Sequence, residues 1–397
     1  MVPHIVTLNA GSSSIKFSIF SVDGDFVRLW DGAVEGIDTS NAVLVISDKD
    51  GGEVMHQSVP LGSRILVTDL VLDWLRVKAQ ELHIVAVGHR VVHGGPRYTA
   101  TTLITPEVIT ELQKIAPYAP KHLPDALHLI ELTISTFPNT PQVACFDTAF
   151  HSDMPKVAST FPIPRRYTTA GVKRYGFHGL SYQYLIHELD LRFGNERKEG
   201  RVIMAHLGNG ASVTASVHGK SVDTSMGFTP CAGIPMSTRS GDLDPGLVEY
   251  LMNTEGLDAS AFHHLVNSES GLLGISETSS DMKVLLDTAS TDERAEEAVA
   301  IFCYQIKKYI GAYSAVLGGV DTLLFSGGIG ERSPEIRRRI VEGLDYLGIT
   351  VDRGKNEANE TELSPPGSRV LVAMFHTDES WTIANETNHI IAEHAHS

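Results

Sequence analysis

The sequence has few cysteines and no long apolar run. Its three cysteines, Cys145, Cys231 and Cys303, are scattered along the chain. This pattern excludes a disulfide framework and a cysteine-based metal site, and it favours reduced thiols in a cytoplasm. No apolar stretch approaches the length of a membrane span. The first nine residues contain no basic segment, so we expect no signal peptide and no membrane partner.

Positive charge is also scarce. Lysine and arginine number 32 against 48 aspartates and glutamates, which gives a net charge of −16. Nucleic acids and anionic membranes bind to basic surfaces, and this composition is poorly suited to supply one. The sequence therefore predicts no nucleic-acid partner, and a polyanionic ligand must be met by a few local cations.

The remaining composition is typical of a globular protein. Of the 397 residues, 42% are apolar and 20% are charged, which is ordinary for folded domains. A chain of this length is expected to divide into two domains. A ligand-binding cleft is then expected between them.

Two strand-turn-strand patterns lie half a chain apart. Apolar runs at 5–8 and 15–22 flank the turn NAGSSS, and runs at 202–207 and 213–217 flank the turn GNGAS. Polar glycine-containing turns between β-prone runs indicate paired strands. The offset of 200 positions between Asn9 and Asn209 indicates two copies of one unit rather than a short repeat.

A helix, a strand and a third glycine turn follow. Apolar residues recur at helical spacing over 296–317, and two glycines at 318–319 should end that helix. A strand at 320–325 leads into SGGIGE, and a basic helix starts at Pro334. Strand, glycine turn and helix in this order are typical of a nucleotide cleft.

The three turns suit phosphate recognition, which needs closely approaching backbone N–H groups, hydroxyl donors and a compact cation. Lys16 supplies a cation beside the first turn, and His206 precedes the second. A solvated hairpin is the alternative for each turn taken alone. The sequence contains no Walker A motif, because Thr214 stands where its first glycine belongs before GKS.

Two arginines have unusual surroundings. Arg90 lies in the apolar run GHRVVHGG, where an unpaired charge would be costly, and Arg239 lies in the loop TRSGD. Each arginine indicates an anion-binding site. The alternative for each is a structural ion pair, with Asp242 or Asp244 as candidate partners.

A carboxylate and a histidine follow the same logic. Asp147 comes directly after the apolar run 143–146, and His178 stands just before a helical stretch. A helix N-terminus favours negative charge, so His178 is placed to contact a phosphate. A helix-capping or core histidine is the alternative.

Taken together, these segments resemble the acetate kinase family, within the superfamily of sugar kinases, actin and heat-shock chaperones. The resemblance covers nearly the whole chain in the right order and is specific in combination. The matching motifs are NAGSSSIK, GHRVVHGG, FDTAFH, GFHG, HLGNGAS, DTSMGFTP and TRSGD.

The resemblance implies an α/β fold of two ribonuclease-H-like domains, each a copy of a βββαβαβα pattern, with the active site in the cleft between them. The first domain would span residues 1–150 and be completed by the C-terminal helix 380–397. The second, nucleotide-binding domain would span residues 151–379. A homodimer is also expected from the resemblance.

The reaction implied is reversible transfer of the γ-phosphoryl group of ATP to acetate, giving acetyl phosphate and ADP. The metal would be Mg²⁺, with Mn²⁺ as an alternative. The implied site comprises the catalytic residues Arg90, Asp147, His178 and Arg239; Val91, Phe177 and Pro230 around the acid, with Arg90; Asn9 and Glu379 on the metal; and Ser12, Ser14, Lys16, His206, Leu207, Gly208, Asn209, Gly210, Asp281, Met282, Lys283, Gly328, Ile329, Gly330, Glu331 and Arg332 around ATP.

Physical chemistry is consistent with these roles. A phosphoryl group in transfer spreads negative charge over its oxygens, and fixed cations aimed at that charge lower the barrier. A carboxylic acid is already ionised at pH 7 and needs no general base. We therefore predict that Asp147 orients an arginine or a metal-bound water rather than removing a proton.

Some positions depart from the family pattern. Lys121 and Leu123 differ beside the expected acid pocket, whereas Glu277, Lys283 and Arg332 differ around the nucleotide. These departures leave open the choice among acetate, propionate and butyrate, and the preferred nucleotide.

Three alternative functions follow. The nearest is a kinase of propionate or another short-chain carboxylate. A hydroxyl-directed kinase of the same superfamily would need a general base and a polar sugar-binding cradle. A non-catalytic nucleotide switch of the actin or chaperone type would not need Arg90, Arg239 and His178 together.

Overall fold

The computed structural model describes residues 2–11, 14–24, 26–37, 42–59, 64–120 and 122–395. The chain divides into two compact units: the first is Met1–Ala149 with Asp378–Ser397, and the second is Phe150–Thr377. Two residues singled out by the sequence, Ser12 and Lys121, lie outside the described residues.

The strands in chain order are β1 (Pro3–Ala10), β2 (Ser14–Ser21), β3 (Val27–Glu35), β4 (Val43–Asp48), β5 (Glu53–Ser58), β6 (His83–Val91), β7 (Thr102–Leu103), β8 (Gln142–Phe146), β9 (Arg201–Leu207), β10 (Ala211–Val217), β11 (Lys220–Thr224), β12 (Thr322–Ser326) and β13 (Leu371–Met374).

The α-helices in chain order are α1 (Arg64–Lys78), α2 (Pro106–Lys114), α3 (Leu123–Thr136), α4 (Lys156–Ser159), α5 (Arg165–Thr169), α6 (Gly179–Phe193), α7 (Asn195–Glu199), α8 (Gly246–Glu255), α9 (Ala259–His264), α10 (Gly271–Ser276), α11 (Met282–Thr288), α12 (Glu293–Val316), α13 (Gly327–Arg332), α14 (Pro334–Val341), α15 (Arg353–Glu357) and α16 (Glu379–Ala395).

Each unit is built on one sheet, and the two sheets share the topology of five strands, to which the first sheet adds β4, β5 and β7. The first has the order β5-β4-β3-β2-β1-β6-β8-β7 and the second the order β11-β10-β9-β12-β13. In both, three antiparallel strands are followed by two strands parallel to the first. The predicted α/β class and the predicted duplication of a strand-turn-strand unit are confirmed.

Side-chain alternation along β1 explains how helices cover both faces of the first sheet. Val6 and Leu8 join a buried cluster with residues of α1 and α3, whereas Ile5 joins a cluster with Ala384 of α16. Successive strand residues point to opposite faces, so both faces of β1 are buried. Gly88 lies under α16, where a β-carbon would overlap the hydroxyl of Thr387.

The predicted helix at 296–317 is confirmed as α12, but it begins three residues earlier, at Glu293. The side chain of Asp292 accepts a hydrogen bond from the backbone N–H of Arg294 and so caps the helix start. The first turn is largely charged, and apolar periodicity alone therefore underestimates the helix. No helix in the described ranges is long and apolar enough to span a membrane.

Candidate functional site

The first unit brings four predicted residues together, which we call the arginine cluster: Asn9, Arg90, Asp147 and Glu379. Asn9 lies near the end of β1, Arg90 near the end of β6, and Asp147 directly after β8. These strands are parallel neighbours, so their carboxyl ends meet at one edge of the sheet, where ligands of open α/β sheets bind. Glu379 is the first residue of α16.

Arg90 is the centre of the arginine cluster. Its Nε and Nη2 donate to the two carboxylate oxygens of Asp147 at 2.9 and 2.7 Å, a bidentate pair. Its Nη1 donates to Asn9 Oδ1 at 3.1 Å and lies 3.3 Å from Glu379 Oε2. Asn9 Nδ2 in turn donates to Glu379 Oε2 at 3.1 Å.

The electrostatics keep Arg90 charged. Burial lowers the pKa of Arg90, but the charges of Asp147 and Glu379 outweigh burial and raise it above its usual value. The ion-pair alternative is therefore realised for Arg90, with Asp147 and Glu379 as its partners. These contacts with described residues occupy at most four of the five guanidinium N–H groups, which leaves at least one donor without a partner in the described part of the chain.

The two predicted metal ligands fit a Mg²⁺ site of a particular kind. Within the described residues, no group of three or more His, Cys, Asp and Glu side chains could hold a metal. Mg²⁺ is commonly bound through one or two protein oxygens together with substrate phosphates and water. Asn9 and Glu379 supply adjacent oxygens, and two carboxylates against one guanidinium leave the cluster with net negative charge.

Lys16 and Ser14 lie on the same hairpin as the metal candidate. Lys16 is exposed and pairs directly across the β1–β2 hairpin with Asn9, so both side chains point to the same face. Ser14 is the first residue of β2, and its carbonyl accepts from the N–H of Gly11 at 2.8 Å. By contrast, Val91 is fully buried among core residues of the first unit.

The second unit contains what we call the histidine cluster: His178 and His206 with their hydroxyl partners. His178 precedes α6 with a left-handed φ of 59° and makes no side-chain cap. Its Nδ1 instead hydrogen-bonds with Ser212 Oγ at 2.9 Å. His206 Nδ1 hydrogen-bonds with Ser181 Oγ at 2.8 Å. The centroids of the His178 and His206 rings lie 4.4 Å apart. The helix-capping alternative for the His178 side chain is therefore wrong.

The turn after β9 is in contact with this cluster. A β-carbon on Gly210 would stand 3.2 Å from His178 Nε2 and 3.5 Å from Arg239 Nη1, and one on Gly208 would stand 3.9 Å from His206 Nε2. Both histidines thus direct Nε2 towards the glycine turn, and Arg239 approaches it from its own loop. A small ligand above the turn would meet these donors together.

The third predicted turn lies beside the second. Gly327 has a left-handed φ of 76°, and a β-carbon there would come within 2.8 Å of the backbone of Leu207. Around Gly328, in contrast, no described atom lies within 4 Å of the β-carbon position. The close approach of β12 to β9 therefore brings two of the predicted phosphate turns together, with open space above Gly328.

Arg239 is held by what we call the arginine loop, residues 230–242. Its Nη1 donates to the carbonyl of Pro230 at 3.0 Å. The loop is tied to the segment 266–273 by backbone bonds that include Leu272 N to Met236 O at 2.8 Å. Gly271, with a left-handed φ of 63°, packs directly beneath the backbone of Arg239.

The carboxylates considered as partners of Arg239 have other contacts. Asp242 accepts from Gly233 N at 2.8 Å and from the hydroxyl of Tyr309 at 2.5 Å. Asp244 accepts from Gly246 N at 2.7 Å.

The remaining nucleotide candidates differ in what their side chains do. Asp281 caps α11 through Lys283 N at 2.7 Å, Met282 is buried, and Lys283 is exposed. Glu331 is engaged inside the fold, because its carboxylate accepts from Gly327 N at 3.0 Å and Thr377 N at 3.1 Å. Ile329, Gly330 and Arg332 lie with it in α13.

The acid-pocket candidates of the second unit are placed near the same elements. Phe177 is fully buried next to His178, and its carbonyl hydrogen-bonds with His151 Nε2 at 3.0 Å. Pro230 is partly buried and accepts from Arg239. Asn209 is tied to the arginine loop by a bond from Ser237 N to its carbonyl at 3.3 Å.

Sequence reasoning missed three residues that support the site. Tyr182 and Ser181 lie in the first turns of α6 and bond to the histidine cluster. Arg337 of α14 is completely buried and binds the carbonyls of Gly330 and Glu331. The basic helix predicted from Pro334 contained the only signal, and nothing in its pattern distinguished Arg337 from its exposed neighbours.

Comparison with known proteins supports one family. A sequence model described as the acetokinase family matches residues 4–385. An acetate kinase of Halothermothrix orenii is 41% identical over 398 residues, covering 98% of this chain and 99% of that protein. One of Bacillus subtilis is 40% identical over 393 residues, covering 96% and 98%.

Solved structures agree with these sequence relatives. The crystal structure of Porphyromonas gingivalis acetate kinase superposes with a TM-score of 0.87 at 37% identity, covering 98% of this chain and 100% of that one. A propionate kinase from Francisella tularensis superposes with a TM-score of 0.89 at 35% identity, covering 98% and 99%.

Proposed function

The chain belongs to the acetokinase family, and from this premise we propose that it transfers the γ-phosphoryl group of ATP reversibly to acetate, giving acetyl phosphate and ADP. Family members are kinases whose acceptor is a carboxylate. The enzyme class is thus a phosphotransferase with a carboxyl acceptor, and direct in-line transfer is the simplest mechanism.

The observation that carries this proposal is the bidentate pair between Arg90 and Asp147. A kinase acting on a hydroxyl group needs a base that can take the acceptor proton. Asp147 is buried, and both of its oxygens hold Arg90. It is arranged to orient a cation, and a reaction with an already ionised acceptor needs no base in its place.

We assign the work of the reaction as follows. Arg90 binds the carboxylate of the acid through a donor that Asp147 leaves available. His178, Arg239 and the turn 208–210 bind the phosphoryl group, whose charge grows on its outer oxygens during transfer. Fixed donors lower the barrier because they need no reorganisation as that charge develops.

The other predicted residues bind ATP, its metal or the acid. Asn9 and Glu379 would hold Mg²⁺, which when bound neutralises phosphate charge. Lys16, Ser14 and the segments 281–283 and 328–332 contact ATP, with Glu331 acting through the backbone that its carboxylate holds. Val91, Phe177 and Pro230 shape the space for the methyl group.

Trapping the product tests the function. The protein incubated with ATP, Mg²⁺, acetate and hydroxylamine should form acetyl hydroxamate, and Arg239→Lys should lower kcat about 100-fold, because a single ammonium cannot replace the planar fork. Arg192→Lys, at an exposed position paired with Glu188, is the control and should retain activity. Absence of hydroxamate from the unmodified enzyme would exclude a carboxylate kinase.

A propionate kinase is the second candidate, favoured by the superposition on the Francisella tularensis enzyme. One methylene in an apolar pocket changes binding by about 1–3 kcal/mol. Comparing kcat/KM for acetate, propionate and butyrate therefore ranks the acids. A higher value for propionate would replace acetate as the assigned substrate.

We further propose that the enzyme is a cytoplasmic homodimer that uses Mg²⁺, with Mn²⁺ as a substitute. We also propose that ribonuclease-H-like domains span 1–150 with 380–397 and 151–379, a division supported by the two compact units. Light scattering after gel filtration tests the dimer, and metal titration of the stripped enzyme tests the ion.

A further inference from the structure

A chain of buried hydroxyl groups leads to His178 from behind. Tyr182 and Ser212 are both fully buried. The Tyr182 hydroxyl lies 2.5 Å from Ser212 Oγ, and Ser212 Oγ lies 2.9 Å from His178 Nδ1. Buried hydroxyl groups that are linked in a chain fix the orientation of the group at its end.

Two directions of hydrogen bonding fit this chain, and in one of them each hydroxyl donates towards His178. Burial raises the pKa of Tyr182 to about 12, against the opposing effects of the Ser212 and Thr214 hydroxyls and the backbone of His206. The phenol therefore keeps its proton at neutral pH and can donate it to Ser212 Oγ. In that direction the single proton of the Ser212 hydroxyl is given to His178 Nδ1.

A ring that accepts at Nδ1 carries its proton on Nε2. Nε2 is the atom that faces the glycine turn, 3.2 Å from the β-carbon position of Gly210, and the guanidinium of Arg239 approaches the same point at 3.5 Å. The ring of His206 lies against the His178 ring, with the centroids 4.4 Å apart and the planes tilted by 30°. With a fixed cation and a second imidazole facing it, His178 is better suited to be a neutral donor than an imidazolium.

We propose that Tyr182 and Ser212 are positioning residues that hold the proton of a neutral His178 on Nε2, so that His178 donates a hydrogen bond to the phosphoryl group during transfer. This inference rests on the proposed function and deepens it. A ring free to change tautomer would offer the phosphate a lone pair in part of the molecules, and repulsion would slow transfer.

The tautomer is measured directly by long-range ¹H–¹⁵N correlation spectra of enzyme labelled in its histidine rings, with His178→Gln identifying the signal. At pH 7 we expect Nε2 of His178 to be protonated and Nδ1 to be unprotonated. A protonated Nδ1, or both nitrogens protonated, in the unmodified enzyme would overturn the proposal.

Kinetics give the second readout. Tyr182→Phe removes only the phenol oxygen, and Ser212→Ala removes the hydroxyl that lies between Tyr182 and His178. Each substitution should lower kcat about 10-fold and change KM for ATP less than twofold. Tyr313→Phe, which removes another buried phenol of the second unit, is the control and should leave kcat within twofold. Unchanged kcat in both cluster variants would contradict the positioning role.

Failure of the unmodified enzyme to form hydroxamate would instead reject the proposed function, whichever nitrogen of His178 carries the proton.

Discussion

At the scale of single residues, the use of Asp147 separates two kinds of kinase chemistry. Its carboxylate is buried and gives both oxygens to Arg90. In Asp147→Asn an amide group would face the guanidinium donors and release Arg90 from its fixed orientation. We expect kcat to fall about 100-fold and not to recover between pH 7 and 9, because the acid acceptor is ionised throughout that range. Steady-state kinetics across the range measure both effects.

The same substitution has an expected cost in stability. Removing one partner of a buried ion pair costs about 3–5 kcal/mol, although Glu379 still faces Arg90 at 3.3 Å. Asp73→Asn is the matched control, because Asp73 pairs with Arg76 at 2.9 Å in an exposed position. Its loss should cost less than about 1 kcal/mol.

The outcome that would contradict the orienting role of Asp147 is a recovery of kcat in Asp147→Asn at high pH.

At the scale of elements, the arginine loop depends on one glycine beneath it. A β-carbon on Gly271 would overlap the carbonyl oxygen of Met236 and lie 2.6 Å from that of Arg239. Since Gly271→Ala must displace this backbone, we expect a loss of kcat of at least about 10-fold, by analogy with the cost of misplacing a catalytic group. A spectrophotometric assay of the purified variant measures it.

Gly256 provides the control for backbone strain. Its φ of 67° resembles the 63° of Gly271, but no described atom beyond its two chain neighbours lies within 4 Å of its β-carbon position. Alanine at either position costs about 1–2 kcal/mol, because both residues have a left-handed φ. Only Gly271→Ala is expected to displace the arginine loop. Equal losses of kcat in the two variants would show that strain, rather than displacement of Arg239, is responsible.

Arg337 performs a similar task for α13. Its guanidinium donates to the carbonyls of Gly330 and Glu331 at 2.7 and 3.0 Å, and to oxygens of Asn356 and Asn359. Burial lowers its pKa to about 10, so it remains charged at pH 7. Arg337→Lys cannot reach all of these acceptors, and we expect KM for ATP to rise about 10-fold and the free energy of unfolding to fall by about 3 kcal/mol.

The comparison for Arg337 is its neighbour in the same helix. Arg338 is exposed and pairs with Glu335 at 2.8 Å, so Arg338→Lys should change neither quantity appreciably. KM for acetate, measured in the same experiments, should stay within about twofold for both variants. A KM for ATP that is unaffected in Arg337→Lys would contradict the positioning of α13 by this side chain.

These elements also show what sequence patterns can predict. The hairpins at Asn9 and Asn209 and the helix α12 depend on local apolar periodicity and turn residues, and they were predicted from them. The burial of Arg337 depends on Asn356 and Asn359, about twenty residues away. No local pattern encodes such a contact, and the bond between Tyr182 and Ser212 was missed for the same reason.

At the scale of the whole molecule, the sequence pattern predicts two related halves because the same strand-turn-strand unit occurs twice, whereas the sheet topology of each half is implied only by the family resemblance. The grouping of Asn9, Arg90 and Asp147 at one sheet edge follows from that topology, since parallel strands end together. The family resemblance supplied their roles, which remain proposals. The ion pairs within the cluster required the structure, because charge alone does not say which carboxylate an arginine contacts.

Each unit also contains a buried histidine that links stability to pH. His89 in the first unit and His151 in the second are almost inaccessible, and burial lowers the pKa of each to about 4 from 6.5, opposed by bonds to Gln142 and Phe177. Between these values the unfolded chain binds more protons than the folded one. Stability is therefore fully present above pH 6.5 and is lost as the pH falls towards 4.

We expect the protonation of each of these two histidines to lower the free energy of unfolding by about 2 kcal/mol between pH 7.5 and pH 5. Hydrogen exchange measured on individual peptides reports this loss for each unit separately. His89→Gln should reduce the pH dependence in the first unit only, where burial also lowers the pKa of His4, and His151→Gln should reduce it in the second unit only. His218→Gln, at an exposed position, serves as the control.

The pH range of the loss distinguishes the buried histidines from ion-paired carboxylates. Hydrogen bonds from Arg338 lower the pKa of Glu335 to about 2 from 4.5, so the stability contributed by such a carboxylate is lost only below pH 4.5. A loss confined below pH 4.5 would therefore assign acid sensitivity to carboxylates and not to the buried histidines.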